Sequence, residues 1–297
     1  MTQSDTPIES DTHLEDKFIA FIDILGFTAL VQKAELEGNG DLSRALELTK
    51  ALGSAADSNK FVQYGPTTCP LARRIANDLD FQVTQISDCV VISAEVSPAG
   101  MINLVSHCFG IALRILTKGA LCRGVITRGK IWHRDGQFIG RGYMRAFQSE
   151  PGVAFMCADE NETGTPFIEI DEPVTDYVRE QEDDCVRSMF ERTTRTDGTY
   201  TAIYPFGSLG NVPSSLVGLD FDPNEWKDPV RRSIGFRQAE LAVFDRAEAE
   251  ATKESVKRKI RHYKRGLEEV LQRLRTKEAA LDAMIATGRI PYGTVWI

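Results

Sequence analysis

The sequence predicts an α/β (α+β) fold, one sheet with helices packed on it, plus a long C-terminal helical extension. Three observations carry that expectation. Short runs rich in Val, Ile and Phe alternate with segments whose apolar residues recur at helical spacing. "LDFQVTQIS" and "CVVISAE" are separated by so little chain, at Ser87-Asp88, that they must form a hairpin. Beyond residue 235 the pattern changes to a charged, Glu- and Lys/Arg-rich stretch with helical periodicity.

Taken in order, "KFIAFIDIL" reads as a first buried strand and "GFTALVQKAE" as a helix entered through Gly26. "DLSRALELTKALGSAADSN" places Leu42, Ala45, Leu46, Leu48 and Leu52 on one helical face. Phe61 to Pro70 carries Gly and Pro and reads as a loop. After the hairpin, "SPAGMINLVSHCFGIALRILTKG" starts on Ser-Pro and stops at Gly119, the punctuation of a helix. "ALCRGVITRGKIWHRDGQFIG" gives a strand and a second hairpin at Asp135-Gly136, and "RGYMRAFQSE" a further helix. "FIEID" and "TYTAIYPF" follow as strands. The order β-α-α-β-β-α-β-β-α suggests a ferredoxin-like sheet. The expected organisation is a disordered lead over 1–16, a catalytic domain over 17–204, a loop-rich connection over 205–234 and a helical extension over 235–297, with Gly266 as an interruption.

Bulk properties narrow the class. The 297 residues are 42% hydrophobic and 26% charged, which is ordinary core-forming composition. The net charge of -8 argues against a nucleic-acid partner bound by overall charge. Six cysteines without any CxxC pair argue against zinc, and Cys89, Cys108 and Cys122 read as small buried hydrophobes in a reducing compartment. No apolar run of about 18 residues is evident and the first sixteen residues are polar and acidic, so the expectation is a cytoplasmic protein with no membrane partner.

The chemistry concentrates around one carboxylate. Asp23 interrupts an apolar strand just before a glycine turn and a helix start. There it can ligate a cation while the amides of Gly26, Phe27 and Thr28 hold phosphate oxygens, or it can cap the helix. Asp88 sits at the hairpin tip, where local turn chemistry is its ordinary role. Two carboxylates on neighbouring strands also form the clamp that phosphoryl chemistry uses around Mg²⁺. Arg123 is mid-strand, where an unpaired charge is costly, so it faces either an anion or a structural carboxylate. Arg141 and Arg145 are one helical turn apart, as an anion-binding pair or a solvated face. Tyr64 and Phe61 precede the second strand as base-stacking residues or loop anchors. His107 and His133 read as structural.

"FIDILGFTALV", "QISDCVVIS" and "LCRGVITRGKIW…FIGRGYMRAFQSE", in that order, resemble the metal and catalytic motifs of class III nucleotide cyclases. Their wording is most like the pyrimidine (uridylate/cytidylate) cyclases of the bacterial Pycsar antiphage defence system, over about residues 17 to 155. The resemblance implies metal ligation by Asp23, Asp88 and the Ile24 carbonyl, with two Mn²⁺ or Mg²⁺ ions. It implies phosphate binding by Gly26, Phe27 and Thr28, and base reading at Thr84 and Gln137. Purine cyclases tend to have Lys or Glu where Thr84 stands. The family's helix Asn and Arg fall on Met144 and Gln148, which leaves their task to Arg123, Arg141 or Arg145. The implied activity is conversion of UTP, or CTP, to the 3′,5′-cyclic monophosphate and pyrophosphate in a homodimer with composite active sites. The implied product is a second messenger acting on a separate effector. A catalytically degenerate nucleotide sensor and a purine cyclase are the rival readings. A metal-dependent phosphatase or nuclease needs more acidic or His ligands than the sequence offers.

Overall fold

A computed structural model describes residues 12–36, 40, 42–53, 79–160, 162–207, 209 and 222–288. Strand β1 (Glu15–Ile24) leads into α1 (Phe27–Leu36) and α2 (Ser43–Ala51). Strands β2 (Phe81–Ile86) and β3 (Cys89–Glu95) form the hairpin, and α3 (Pro98–Thr117) crosses to β4 (Cys122–Arg134). β5 (Gln137–Ile139) turns back on β4, and α4 (Arg141–Ser149) follows. Then come β6 (Ile168–Ile170), α5 (Glu172–Arg179), α6 (Asp184–Glu191), β7 (Thr194–Thr196) and β8 (Thr201–Ile203). Two long helices, α7 (Pro223–Glu250) and α8 (Glu254–Thr287), close the described chain.

The strands make one sheet in the order β2-β3-β1-β4-β6-β8-β7, with β5 attached to β4. Neighbours among its first four strands run antiparallel, the ferredoxin-like arrangement expected from the element order. β6 extends the sheet parallel to β4, and β8 and β7 continue it antiparallel.

Period-two alternation gives β1 two unlike faces. Phe18, Ala20, Ile22 and Ile24 join Val90, Ile92 and α3 in the main core. Helix α3 starts cleanly because Ser97 Oγ accepts from the Gly100 amide at 3.0 Å and Pro98 needs no donor. Ile19 and Phe21 point the other way, with Val91, Ile131 and Ala146 of α4. Glycine permits that close packing: a Cβ on Gly129 would lie 3.0 Å from the Gly142 backbone.

Several expectations are corrected. Helix α7 begins at Pro223, inside the stretch 205–234 read as loop, and continues through Pro229. Helix α8 runs unbroken past Gly266, whose missing side chain makes room for the Phe206 ring. The α3 segment does contain an 18-residue window apolar enough to cross a membrane, with mean hydropathy 1.5, yet 67% of that window is buried as the core helix. Cys89, Cys108, Cys122 and Cys157 are free thiols, whereas Cys185 is disulfide-bonded, which a wholly reducing setting does not anticipate.

Candidate active site

Strand register, rather than proximity in sequence, assembles the site. Asp23 is directly opposite Cys89 on β3 and Arg123 on β4, so the three side chains share the sheet face that α4 only partly covers. The Ile24 amide donates to the Asp88 carbonyl at 3.0 Å, and the Leu25 amide to the Leu121 carbonyl at 2.9 Å. These two bonds fix the end of β1 against the hairpin tip. Gly26 then turns the chain with φ +81°, a left-handed conformation that glycine adopts without penalty. The Leu30 amide is already bonded to the Gly26 carbonyl at 3.2 Å, so the first amides of α1 are those without a partner in the helix. Thr28 is exposed there, while Phe27 packs on the core. Ser87 carries φ 54° at the hairpin position that favours glycine.

The electrostatics of this corner are unbalanced. Burial pushes the Asp23 carboxyl up to about 7, Asp88 and Glu150 push it in the same direction, and Arg123 and the Ile24 backbone offset only part. The Cys89 thiol rises to about 11 through burial and the same three carboxylates. Arg123 does not neutralise them all, because its Nε donates to Glu150 at 2.5 Å and its Nη1 to the Gly164 carbonyl at 3.2 Å. The pair is nearly sealed from solvent, with Arg123 13% and Glu150 7% exposed. The guanidinium therefore has its structural anion, rather than being free for a triphosphate.

The chemistry of the donors decides which cation would fit. Among the described residues no three His, Cys, Asp or Glu side chains gather as a metal group. Two carboxylates with one raised pKa suit Mg²⁺ or Mn²⁺, which share their shell with water and phosphate, better than zinc or an all-protein cage.

Other expected site residues lie apart. Arg145 is 51% exposed and pairs with Asp171 at 2.5 Å, and Asp171 also accepts from Thr127 and caps α5. Arg141, Met144 and Gln148 are exposed on α4. Thr84 Oγ1 lies 2.9 Å from His133 Nε2, and Ser93 Oγ lies 2.9 Å from His133 Nδ1. Burial lowers the His133 pKa to about 4, so the ring is neutral and gives one hydroxyl a donor and the other an acceptor. Gln137 is exposed on β5 in register with Arg134, on the opposite face of the hairpin from His133 and its register partner Phe138. Tyr64 and Phe61 lie outside the described residues.

Sequence reasoning missed two residues around this site and read a third, His133, only as structural. Glu150 follows α4 and is buried, and only the cost of leaving Arg123 unpaired pointed to such a partner. His133 joins the hydroxyls of Thr84 and Ser93, which no local pattern announces. Lys259 of α8 is half-buried and feels Arg123, Glu150 and Glu162, although it lies more than a hundred residues beyond all three motifs.

No protein-family model matches this chain, and no curated protein matches it. Among solved structures it is similar to a class III adenylyl cyclase-like ATP-binding protein from Pseudomonas aeruginosa, with 13% identity and a TM-score of 0.33. That likeness covers 55% of this chain and 35% of the other, so the chain spans about a third of its length. A superposition this loose carries no functional argument. The chain's own residues have to carry it.

Proposed function

We propose that this protein is a pyrimidine nucleotide cyclase, converting UTP (CTP less readily) to the 3′,5′-cyclic monophosphate and pyrophosphate. The observation that carries the reading is the uncompensated carboxylate corner. Asp23 is half-buried near Asp88 and Glu150, beside the first amides of α1, which have no acceptor within the helix. Asp23, Asp88 and the Ile24 carbonyl would hold Mn²⁺ or Mg²⁺. A cation bound there supplies Lewis-acid activation of the 3′-hydroxyl and the α-phosphate. The amides of Gly26, Phe27 and Thr28 orient the phosphates. The 3′-oxygen bonds to the α-phosphorus as the bond to the bridging oxygen breaks, pyrophosphate leaves, and the hydroxyl proton passes to solvent. Positioning contributes much of the rate.

Thr84, oriented by His133, and Gln137 would read the base. Both are short or neutral hydrogen-bonding groups, which suits a pyrimidine edge and leaves UTP over CTP as a preference taken from the sequence resemblance. The same resemblance supplies the role in phage defence, with the product acting on a separate effector. A homodimer is supported by apolar side chains standing exposed around this face: Ile86 (50%), Met144 (52%) and Phe147 (51%). Arg141 and Arg145, also exposed on α4, would then reach the partner's phosphates.

The deciding experiment incubates the purified protein with ATP, GTP, CTP or UTP and Mn²⁺ or Mg²⁺, and identifies products by mass. A cyclic product from a pyrimidine triphosphate alone is expected. Cyclic AMP or cyclic GMP would replace the substrate assignment. No product from any nucleotide at high enzyme would favour a degenerate nucleotide sensor, the reading that Met144 and Gln148 favour.

A further inference from the structure

A cavity lies behind the Gly26 turn, where the α7–α8 hairpin meets β1, α1 and α2. It measures about 340 Å³, within the range of small-molecule sites. Its wall is apolar, built from Leu30, Leu48, Leu121, Phe244 and Ile260. Two cations, Arg44 and Lys259, interrupt that wall, and no carboxylate lines it. Arg44 is held by Glu47 at 3.0 Å and by the Lys118 carbonyl. Burial and nearby Arg123 lower the Lys259 pKa, and Glu150 and Glu162 offset only part of that. A half-buried ammonium at the edge of an apolar cavity is expensive unless an anion meets it.

We infer that this cavity binds a small amphipathic anion, with its apolar body among Leu48, Leu121, Phe244 and Ile260 and its anionic group on Lys259. The charge complement argues for the anion and the apolar wall argues against a bare phosphate. The cavity spans three parts of the chain remote in sequence, so only the folded protein has it. Ile24, Gly26 and Phe27 of the proposed nucleotide site also line this cavity, so probe binding is read without catalysis and challenged with nucleotide as well as with apolar anions.

The test uses full-length protein and 1-anilinonaphthalene-8-sulfonate, a fluorescent apolar anion, with octanoate and 1-octanol as competitors. Saturable binding of one probe per chain is expected, displaced by octanoate at least tenfold more strongly than by 1-octanol. Lys259→Met keeps the apolar stem and should bring the two competitors within about twofold of each other, since the ion contact is what separates them. Ala247→Trp fills the cavity from α7 and should abolish probe binding while thermal unfolding stays cooperative. No saturable binding would overturn the inference. So would a Lys259→Met variant that still prefers octanoate as the wild type does. Displacement by UTP with Mn²⁺ but not by octanoate would instead make the cavity part of the nucleotide site. If Ala247→Trp fails to fold, the Lys259→Met comparison decides alone.

Discussion

The two faces of β1 obey different rules although they belong to one strand. On the covered face, Phe18, Ala20, Ile22 and Ile24 are sealed in an apolar core with no charge to satisfy. The other face carries an ion at each end. Lys17, only 2% exposed, is met by Glu15 at 2.7 Å and Asp80 at 2.5 Å. Asp23 is met by two further carboxylates and by an arginine committed elsewhere. One end is balanced and the other is not. The difference teaches where to look for chemistry: the end of the strand where a carboxylate is left poorly compensated is where we propose a cation binds.

The sharpest way to break that comparison is to remove the unbalanced charge. Asp23→Ala and Asp88→Ala should each lower cyclase turnover by at least about 10³-fold, by loss of electrostatic stabilisation of the reacting phosphate. Their thermal unfolding should remain cooperative. Full activity in either variant would sink the assignment. A substitution on the covered face should do the reverse. Ile22 is fully buried, so Ile22→Ala should cost about 2–5 kcal/mol in urea unfolding through cavity formation, with turnover at the folded plateau little changed.

How much of the molecule was legible in the sequence depends on the same contrast. The covered face was readable because hydrophobic periodicity is local: the strand, the Ser-Pro helix start and the Ser87-Asp88 hairpin each announce themselves within a dozen residues. Asp23 and Asp88 were readable as polar exceptions to that pattern. Arg123 was readable only as needing an anion, because its partner Glu150 is a tertiary fact 27 positions away. The start of α7 at Pro223 was hidden by Gly, Pro and Asn, which signal a loop until Asp222 is seen capping the Asn224 amide at 2.8 Å. Lys259 and the cavity it borders could not have been found, since helix α8 is folded back over the domain by the apolar contacts of Tyr263, Leu267 and Phe206.

His133 separates the faces by pH. It is buried on the open face as a neutral ring, with its pKa lowered from 6.5 to about 4. A base whose folded pKa is depressed has its full stability above 6.5 and loses it as pH falls toward 4. About 3 kcal/mol should disappear over that window, measurable as a falling urea midpoint between pH 7 and pH 4. His133→Asn should be less stable at neutral pH but should lack that slope. An unchanged slope would assign it to other groups.

Asp23 should give the smaller, opposite signature. Its folded pKa, about 7 against an ordinary 3.8, lies above the unfolded value, so the metal-free fold is most favoured below 3.8 and loses stability as pH rises through 7. Asp23→Asn abolishes the charge while keeping the side-chain shape. At pH 8 without metal the variant should be more stable than wild type, on the order of 2 kcal/mol once partial exposure is allowed for. Near pH 4 the two should converge. Adding Mn²⁺ at pH 8 should raise the wild-type melting temperature and leave Asp23→Asn nearly unmoved, because a ligand stabilises only the state that binds it. A variant less stable than wild type at pH 8 would mean that Asp23 has a favourable partner within the chain and acts as a structural cap. Equal Mn²⁺ stabilisation of both would move the cation site away from β1.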